Sequence, residues 1–259
     1  MNDSTSRREA LKQAALGGVA LLALPLPVVA AATAVTPRRL KVVVFGGHPD
    51  DPETMAGGTI ARYASLGHDV VSLYLTRGEA GIAGRTHDEA ARIRTEEANR
   101  ACAALGARPR FAGQVDGATE VTAARYAETR AILEEEKPDL LLTHWPVDTH
   151  RDHRAASLLA YDAWLALGRR CDLYYGEVLT GDQTQQFAPT HWVDVTGFLE
   201  KKRAACFAHA SQDPADMWAH HDQMQRFRGR EAGCGAAEAF ALHPRSRSAG
   251  DLAGSAGQQ

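Results

Sequence analysis

A chain of 259 residues, 44% of them hydrophobic, is long enough to bury the core of one α/β domain with a smaller appendage, and no internal repeat divides it. A net charge of −3 offers no basic face for nucleic acid, and four cysteines without a C-x-x-C spacing argue against a cysteine zinc site. Eleven histidines turn the search toward histidine and carboxylate ligands instead.

Residues 1–34 read as a twin-arginine signal peptide. Ser6-Arg7-Arg8-Glu9-Ala10-Leu11-Lys12 carries the paired arginines, an apolar stretch follows over 14–26, and Ala30-Ala31-Ala32-Thr33-Ala34 suits a signal peptidase. A membrane anchor is the alternative, but Gly17-Gly18, Pro25 and Pro27 shorten the apolar run below the ~18 residues a span needs. The expectation is export by the twin-arginine machinery to the periplasm or the exterior. Loss of residues 1–32 removes three cations and two anions, taking the net charge from −3 to −4.

The domain proper is expected over 38–243. Its first strand is the β-branched run Leu40-Lys41-Val42-Val43-Val44, ended by Phe45-Gly46-Gly47-His48-Pro49-Asp50-Asp51. Two adjacent carboxylates repel unless a cation sits between them or one is protonated, and a divalent metal is the simplest resolution. A helix follows over 53–66, closed by Gly67; Gly57-Gly58 in its first turns costs stability and implies close approach of a ligand or strand. After a strand over 70–76, residues 77–81 form a loop bordering the same crevice as His48. The helix over 86–105 turns Ala98, Ala101, Cys102 and Leu105 inward, with Arg94 on the same stripe. Arg94 there either holds a carbonyl or carboxylate or snorkels to pair with Glu97. A short strand over 108–112 leads to Asp116 in a rim loop, then come a helix over 121–136 and a strand over 139–143.

This alternation of strand and helix predicts parallel βαβ units in a Rossmann-like three-layer α/β sandwich, with a mostly parallel sheet in the order 3-2-1-4-5. In that order the first and fourth strands flank the topological switch point, so His48-x-x-Asp51 and His150-x-x-His153 converge from ~100 residues apart. His150 and His153 open the next helix at i, i+3 spacing and share one side of it. Beyond lie strands over 173–179 and 192–195, helices over 197–209 and 213–228, an edge strand over 239–242, and a disordered tail over 244–259. Cys206 and Cys234 are candidates to pair in an oxidising compartment, against the preferred reading of four buried apolar side chains that includes Cys102 and Cys171.

Catalytic zinc takes three protein ligands and keeps an open position for water. His48, Asp51 and His153 supply such a set, leaving Asp50 as general base and His150 to stabilise an oxyanion or protonate a leaving amine. These parts suit hydrolysis of an amide. A dinucleotide site is set aside because G-x-G-x-x-G is missing and two carboxylates stand where a pyrophosphate would lie.

At these residues the chain resembles the zinc-dependent N-deacetylases of the LmbE-like or PIG-L family, which act on N-acetylglucosamine-containing glycolipids, thiol precursors and related amides. The resemblance runs from about residue 40 to 240 and rests on His48-Pro49-Asp50-Asp51, Arg94-Thr95-Glu96-Glu97-Ala98 and Thr143-His144-Trp145-Pro146-Val147-Asp148-Thr149-His150-Arg151-Asp152-His153-Arg154. His209-Ala210-Ser211-Gln212 and Ala237-Glu238-Ala239-Phe240 resemble less diagnostic family signatures. It implies zinc at His48, Asp51 and His153, Asp50 as general base and His150 as acid or oxyanion stabiliser. It further implies Arg94 as a substrate-binding residue and Asp116 as a partner that orients the catalytic histidine. Two departures stand out: Pro52 and Glu53 follow Asp51 where the family has Glu directly, and Arg151 replaces a proline. The expected function is an exported zinc hydrolase that removes acetyl from an N-acetylated amino sugar or glycoconjugate by zinc-activated water. Hydrolysis of a different amide, or metal and carbohydrate binding without catalysis, are the alternatives; retention of Asp50 and His150 counts against the last.

Overall fold

The computed structural model describes residues 38–246. The expected signal segment and residues 247–259 of the expected tail lie outside the described residues. Residues 244–246 of that tail are described: Ser246 N–H donates to His243 O, and its Oγ accepts from Leu173 N at 3.1 Å. Among the described residues no helix is long and apolar enough to cross a membrane.

In chain order the elements are β1 (Lys41–Gly46), α1 (Asp51–Ser65), β2 (Asp69–Thr76), α2 (His87–Leu105), β3 (Arg108–Gln114), α3 (Ala123–Glu136), β4 (Leu140–His144), α4 (Arg151–Ala166), β5 (Asp172–Gly176), β6 (His191–Asp194), α5 (Leu199–Ala208), α6 (Pro214–Ala232) and β7 (Ala237–Leu242). One sheet runs β3-β2-β1-β4-β5-β7-β6. The first five strands are parallel, with Val43 of β1 level with Val71 of β2 and Leu141 of β4. Alternation along β1 divides the core between two faces. Val42 and Val44 pack with Met55 and Ile60 of α1, Leu105 of α2 and Ala205 of α5. Val43 and Phe45 pack with Leu133 of α3 and Leu159 and Trp164 of α4. Both faces are covered, so β1 is apolar from Val42 onward instead of alternating with polar residues. The expected three-layer sandwich and its 3-2-1-4-5 order are present.

The expectation of an edge strand near the C-terminus is corrected. β7 lies inside the sheet, antiparallel to both β5 and β6, and β6 is the edge. Burial agrees, since β7 is buried from Ala237 to Ala241 whereas β6 buries only Val193. Small residues on β7 let α6 and α1 close over it.

Gly57 and Gly58 answer to protein packing. Ala56 leaves helical geometry (φ −140°, ψ 18°), which frees the N–H groups that follow. Gly58 N and Thr59 N then donate to the Glu238 carboxylate of β7 at 2.8 and 2.7 Å, and Lys202 Nζ of α5 pairs with it at 2.7 Å. A Cβ on Gly58 would stand 2.5 Å from Val195 Cβ. All four cysteines are free thiols, so Cys206 and Cys234 do not pair. Burial pushes the Cys102, Cys171 and Cys206 thiols up to about 12, as inert core residues require.

Candidate metal centre and catalytic pocket

The site forms where β1 and β4 end beside one another. Gly47 marks a close approach: a Cβ there would crowd His153 Cδ2 at 3.1 Å and Asp51 Oδ2 at 3.2 Å. Its N–H donates to His144 Nε2 at 3.0 Å, which stitches the two strand ends together across the switch point.

Asp51 is the centre. His48 Nδ1 lies 3.2 Å from its Oδ2 and His153 Nε2 lies 3.3 Å from its Oδ1, so the three residues expected to bind metal converge. Each imidazole turns its other nitrogen to a carboxylate. His48 Nε2 is 3.2 Å from both Asp116 Oδ1 and Asp152 Oδ2, and His153 Nδ1 is 3.2 Å from Asp148 Oδ1. This is how metal-ligating histidines are oriented, with the far nitrogen held by a carboxylate and the near one free for the ion. Sets His48/His150/His153, Asp51/His144/His153 and His48/Asp116/Asp152 bring ligand atoms within 4.8 Å of one another among the described residues. The expected trio His48, Asp51 and His153 is not itself one of these sets, but each of its members belongs to at least one and each histidine touches Asp51; two imidazoles and a carboxylate are donors that fit catalytic zinc.

The charges point the same way. Burial works against ionised Asp51, yet His153 and His144 hold its carboxyl well below the usual range. Burial also works against charged His153, but Asp51 and Asp148 raise it to about 9. Against the same penalty, Asp116, Asp152 and Asp51 raise His48 well above the ordinary imidazole value. The pocket therefore favours positive charge at its centre.

Asp50 and His150 flank that centre. Asp50 adopts φ 119°, ψ −31°, a conformation that costs a non-glycine residue on the order of 1–3 kcal/mol. Its Oδ2 accepts from Arg94 Nη2 at 2.7 Å, and Arg94 also donates to Pro49 O. Burial raises the Asp50 carboxyl despite the Arg94 guanidinium, and Asp51 adds to the rise, a direction that suits a proton acceptor. Arg94 does not pair with Glu97; that carboxylate takes the N–H and hydroxyl of Ser211 at 2.9 and 2.7 Å. His150 caps α4, its Nδ1 accepting from Asp152 N at 3.3 Å, so in the neutral ring Nε2 carries the proton. Burial and the neighbouring His48 and His153 hold His150 below its ordinary value. Its ring centroid is 4.7 Å from each of those two rings.

Asp116 enters the site against His48, so the histidine it orients is an expected metal ligand and not His150. Its backbone neighbour Gly117 donates to Asp152 at 2.8 Å, and Thr119 Oγ1 donates to the same carboxylate at 2.5 Å. Asp148, Asp152 and His144 have no role in the sequence reading. His144, stacked 4.0 Å from His153, is driven to about 4 by burial and by His153, so it is neutral at pH 7. A signal for the two carboxylates exists, since both lie within five residues of the histidine pair, but only the fold shows which nitrogen each one meets. The departures from the family pattern are also accommodated. Glu53 caps the Asp50 N–H at 3.2 Å, and the largely exposed Arg151 donates to Thr119 O.

The cavity above these residues encloses about 330 Å³. Its far wall mixes Val178, Leu179 and Met217 with Gln183, Asp216 and His220.

Residues 43–164 match the family model described as GlcNAc-PI de-N-acetylase (PIG-L). A diacetylchitobiose deacetylase of Thermococcus kodakarensis is 34% identical over 193 residues, which cover 69% of this chain and 72% of that protein. The crystal structure of N,N'-diacetylchitobiose deacetylase from Pyrococcus horikoshii, complexed with an inhibitor, superposes with a TM-score of 0.70 at 23% identity, covering 94% of this chain and 95% of that one. A 4-carboxy-2-hydroxymuconate hydratase from Pseudomonas putida superposes with a TM-score of 0.69 at 24% identity, covering 81% and 99%. At those identities the two structures share the fold, and the hydratase shows that the fold alone does not fix the reaction.

Proposed function

This chain belongs to the GlcNAc-PI de-N-acetylase (PIG-L) family of carbon–nitrogen hydrolases, and we propose that it removes the acetyl group from an N-acetylated amino sugar, using zinc, after export by the twin-arginine route. The observation that carries the zinc reading is the pair of carboxylate-backed imidazoles, His48 and His153, converging on Asp51. These three residues would hold the ion. When bound, zinc supplies Lewis acidity to polarise the amide carbonyl and acidify water. Asp50 takes the proton of the attacking water, its carboxylate steadied by Arg94. His150 donates a hydrogen bond through Nε2 to the carbonyl oxygen as negative charge builds there, and Asp50 passes the proton it took from water to the departing amine as the C–N bond breaks, giving acetate and the free amino sugar. The mixed far wall suits a pyranose, whose hydroxyl edges need hydrogen bonds and whose C–H faces need apolar contact.

The test is amine release from N-acetylglucosamine and a panel of its glycosides, with and without a chelator and zinc restoration. Release that the chelator abolishes and zinc restores supports the reading. Asp50→Asn should lower kcat by at least about 100-fold while zinc stays bound, in line with general-base catalysis. Unchanged turnover in that variant removes Asp50 from the reaction. No release by folded, zinc-loaded protein moves the assignment to a different amide.

A further inference from the structure

We propose that Glu53 and His209 are positioning residues for Asp50, a buried carboxylate–imidazole pair that locks the backbone of Asp50 in its strained conformation. The inference rests on the reading of Asp50 as proton acceptor. It gives a role to two features that the sequence singles out and the reaction does not use: the carboxylate displaced by Pro52, and the His209-Ala210-Ser211-Gln212 segment.

A non-glycine residue at φ 119° persists only where its surroundings over-determine it. On the carbonyl side, Thr54 N and Thr54 Oγ1 donate to Asp50 O at 2.9 and 3.0 Å. On the amide side, Asp50 N donates to Glu53 Oε2 at 3.2 Å. This is one half of a capping box, an arrangement that usually lies at a wet helix end. Here Glu53 has no exposed surface, so its carboxylate must be satisfied from within. Tyr74 O–H donates to Oε1 at 2.6 Å, and His209 Nε2 stands 3.4 Å from Oε2, the oxygen that also receives the Asp50 N–H.

His209 is equally buried and neither ring nitrogen has a hydrogen-bond partner, so the charge its Nε2 faces is the Glu53 carboxylate at ion-pair distance. A polar ring placed in the core without other bonds is costly unless it serves the one carboxylate it faces. Its position is fixed by the residues that follow. Ser211 is held by Glu97 of α2 through both N–H and hydroxyl, and Gln212 Nε2 donates to Gly81 O at 3.1 Å. Arg94, three residues before Glu97 on the same helix, grips the Asp50 side chain. Two clamps therefore meet at Asp50, one on its carboxylate and one on its amide, and α2 anchors both.

The test compares full-length wild type with Glu53→Ala, Glu53→Gln, His209→Phe and the Glu53→Ala/His209→Phe pair, each zinc-loaded, on the best acetamido-sugar substrate. A displacement of the base by about 1 Å costs roughly 100-fold, so Glu53→Ala and His209→Phe should lower kcat by about that factor, with KM and zinc stoichiometry unchanged. Glu53→Gln keeps an oxygen for the Asp50 N–H and should recover to within about tenfold of wild type, and the double variant should be no worse than the poorer single, as for residues acting as a unit. Crystal structures give a readout independent of turnover: in Glu53→Ala, Asp50 should relax to negative φ. If Glu53→Ala does not fold, Glu53→Gln and His209→Phe carry the comparison. Unchanged kcat in His209→Phe, or Asp50 still near its present φ in Glu53→Ala, overturns the proposal. Wild-type protein inactive on every acetamido sugar fails the functional reading instead, and the Asp50 φ in the variant structures still decides this one.

Discussion

Removing Asp148 tests the metal centre at the point where its support is least shared. The Asp148 carboxylate meets His153 Nδ1 at 3.2 Å, accepts from His150 N at 2.7 Å and accepts from Thr184 Oγ1 at 3.0 Å. In Asp148→Ala the far nitrogen of His153 loses the carboxylate it faces. Loss of such a partner weakens metal affinity about 10- to 100-fold, or about 1.4–2.7 kcal/mol. His48 is better insured, because Asp116 and Asp152 both lie 3.2 Å from its Nε2 and removing Asp116 leaves the other. Asp148→Ala should therefore fall near the 100-fold end and Asp116→Ala near or below tenfold. Zinc titration of metal-free protein against a chromophoric chelator measures both, and thermal unfolding separates lost affinity from lost structure. Wild-type affinity in folded Asp148→Ala, or a larger loss in Asp116→Ala, would show that His153 does not present Nε2 to the ion.

Two further predictions concern the scaffold. Lys202 and Glu238 are a buried pair with side chains 1% and 2% exposed, and breaking such a pair from one side costs about 3–5 kcal/mol. Lys202→Met should fall at the lower end because Gly58 N and Thr59 N still serve the carboxylate; urea unfolding reads this, and a loss below about 1 kcal/mol would show that the pair contributes no more than a surface one. Glu136 ties β3 to α3: burial alone would raise its carboxyl, but Arg108 and Arg110 hold it below its ordinary value. A depressed folded-state value means stabilisation that is complete above the unfolded pKa of about 4.3 and lost as pH falls through the folded one. The stability gap between wild type and Glu136→Gln should therefore be widest near neutrality and shrink in acid; a gap that grows on acidification contradicts the sign.

The first five strands are legible because β1 and β2 are β-branched runs, β4 is a run of leucines just after Pro138, and a helix follows each of the first four. The switch point follows from that order, and with it the meeting of His48 and Asp51 with His150 and His153. What escapes the sequence is set by distant partners. The Ala56 break in α1 is stabilised by Glu238, which lies 180 residues beyond the Gly58 N–H it accepts from, and the place of β7 depends on how α6 and α1 close over it. Asp148 and Asp152 read as ordinary loop and helix-start residues, since nothing local says which imidazole nitrogen each will meet. Asp116 is found in the right place but against His48, because the β3–α3 loop folds onto the start of α4 through Thr119 and Asp152.

The residues assigned to chemistry all come from the turns after β1 and β4, with Arg94 and Asp116 between them, and lie within the stretch that matches the family model. The far wall of the cavity comes from residues 178–221, beyond that stretch. The residues assigned to the reaction and those of the far wall thus come from different parts of the chain. The separation is incomplete at one place. His209 lies in the later part yet reaches the Asp50 amide through Glu53, and its neighbours Ser211 and Gln212 are fastened to α2 and the β2–α2 loop. Changes in the wall that shift the α5–α6 junction will therefore reach kcat as well as KM, whereas changes confined to Val178, Leu179 or Gln183 act on KM alone.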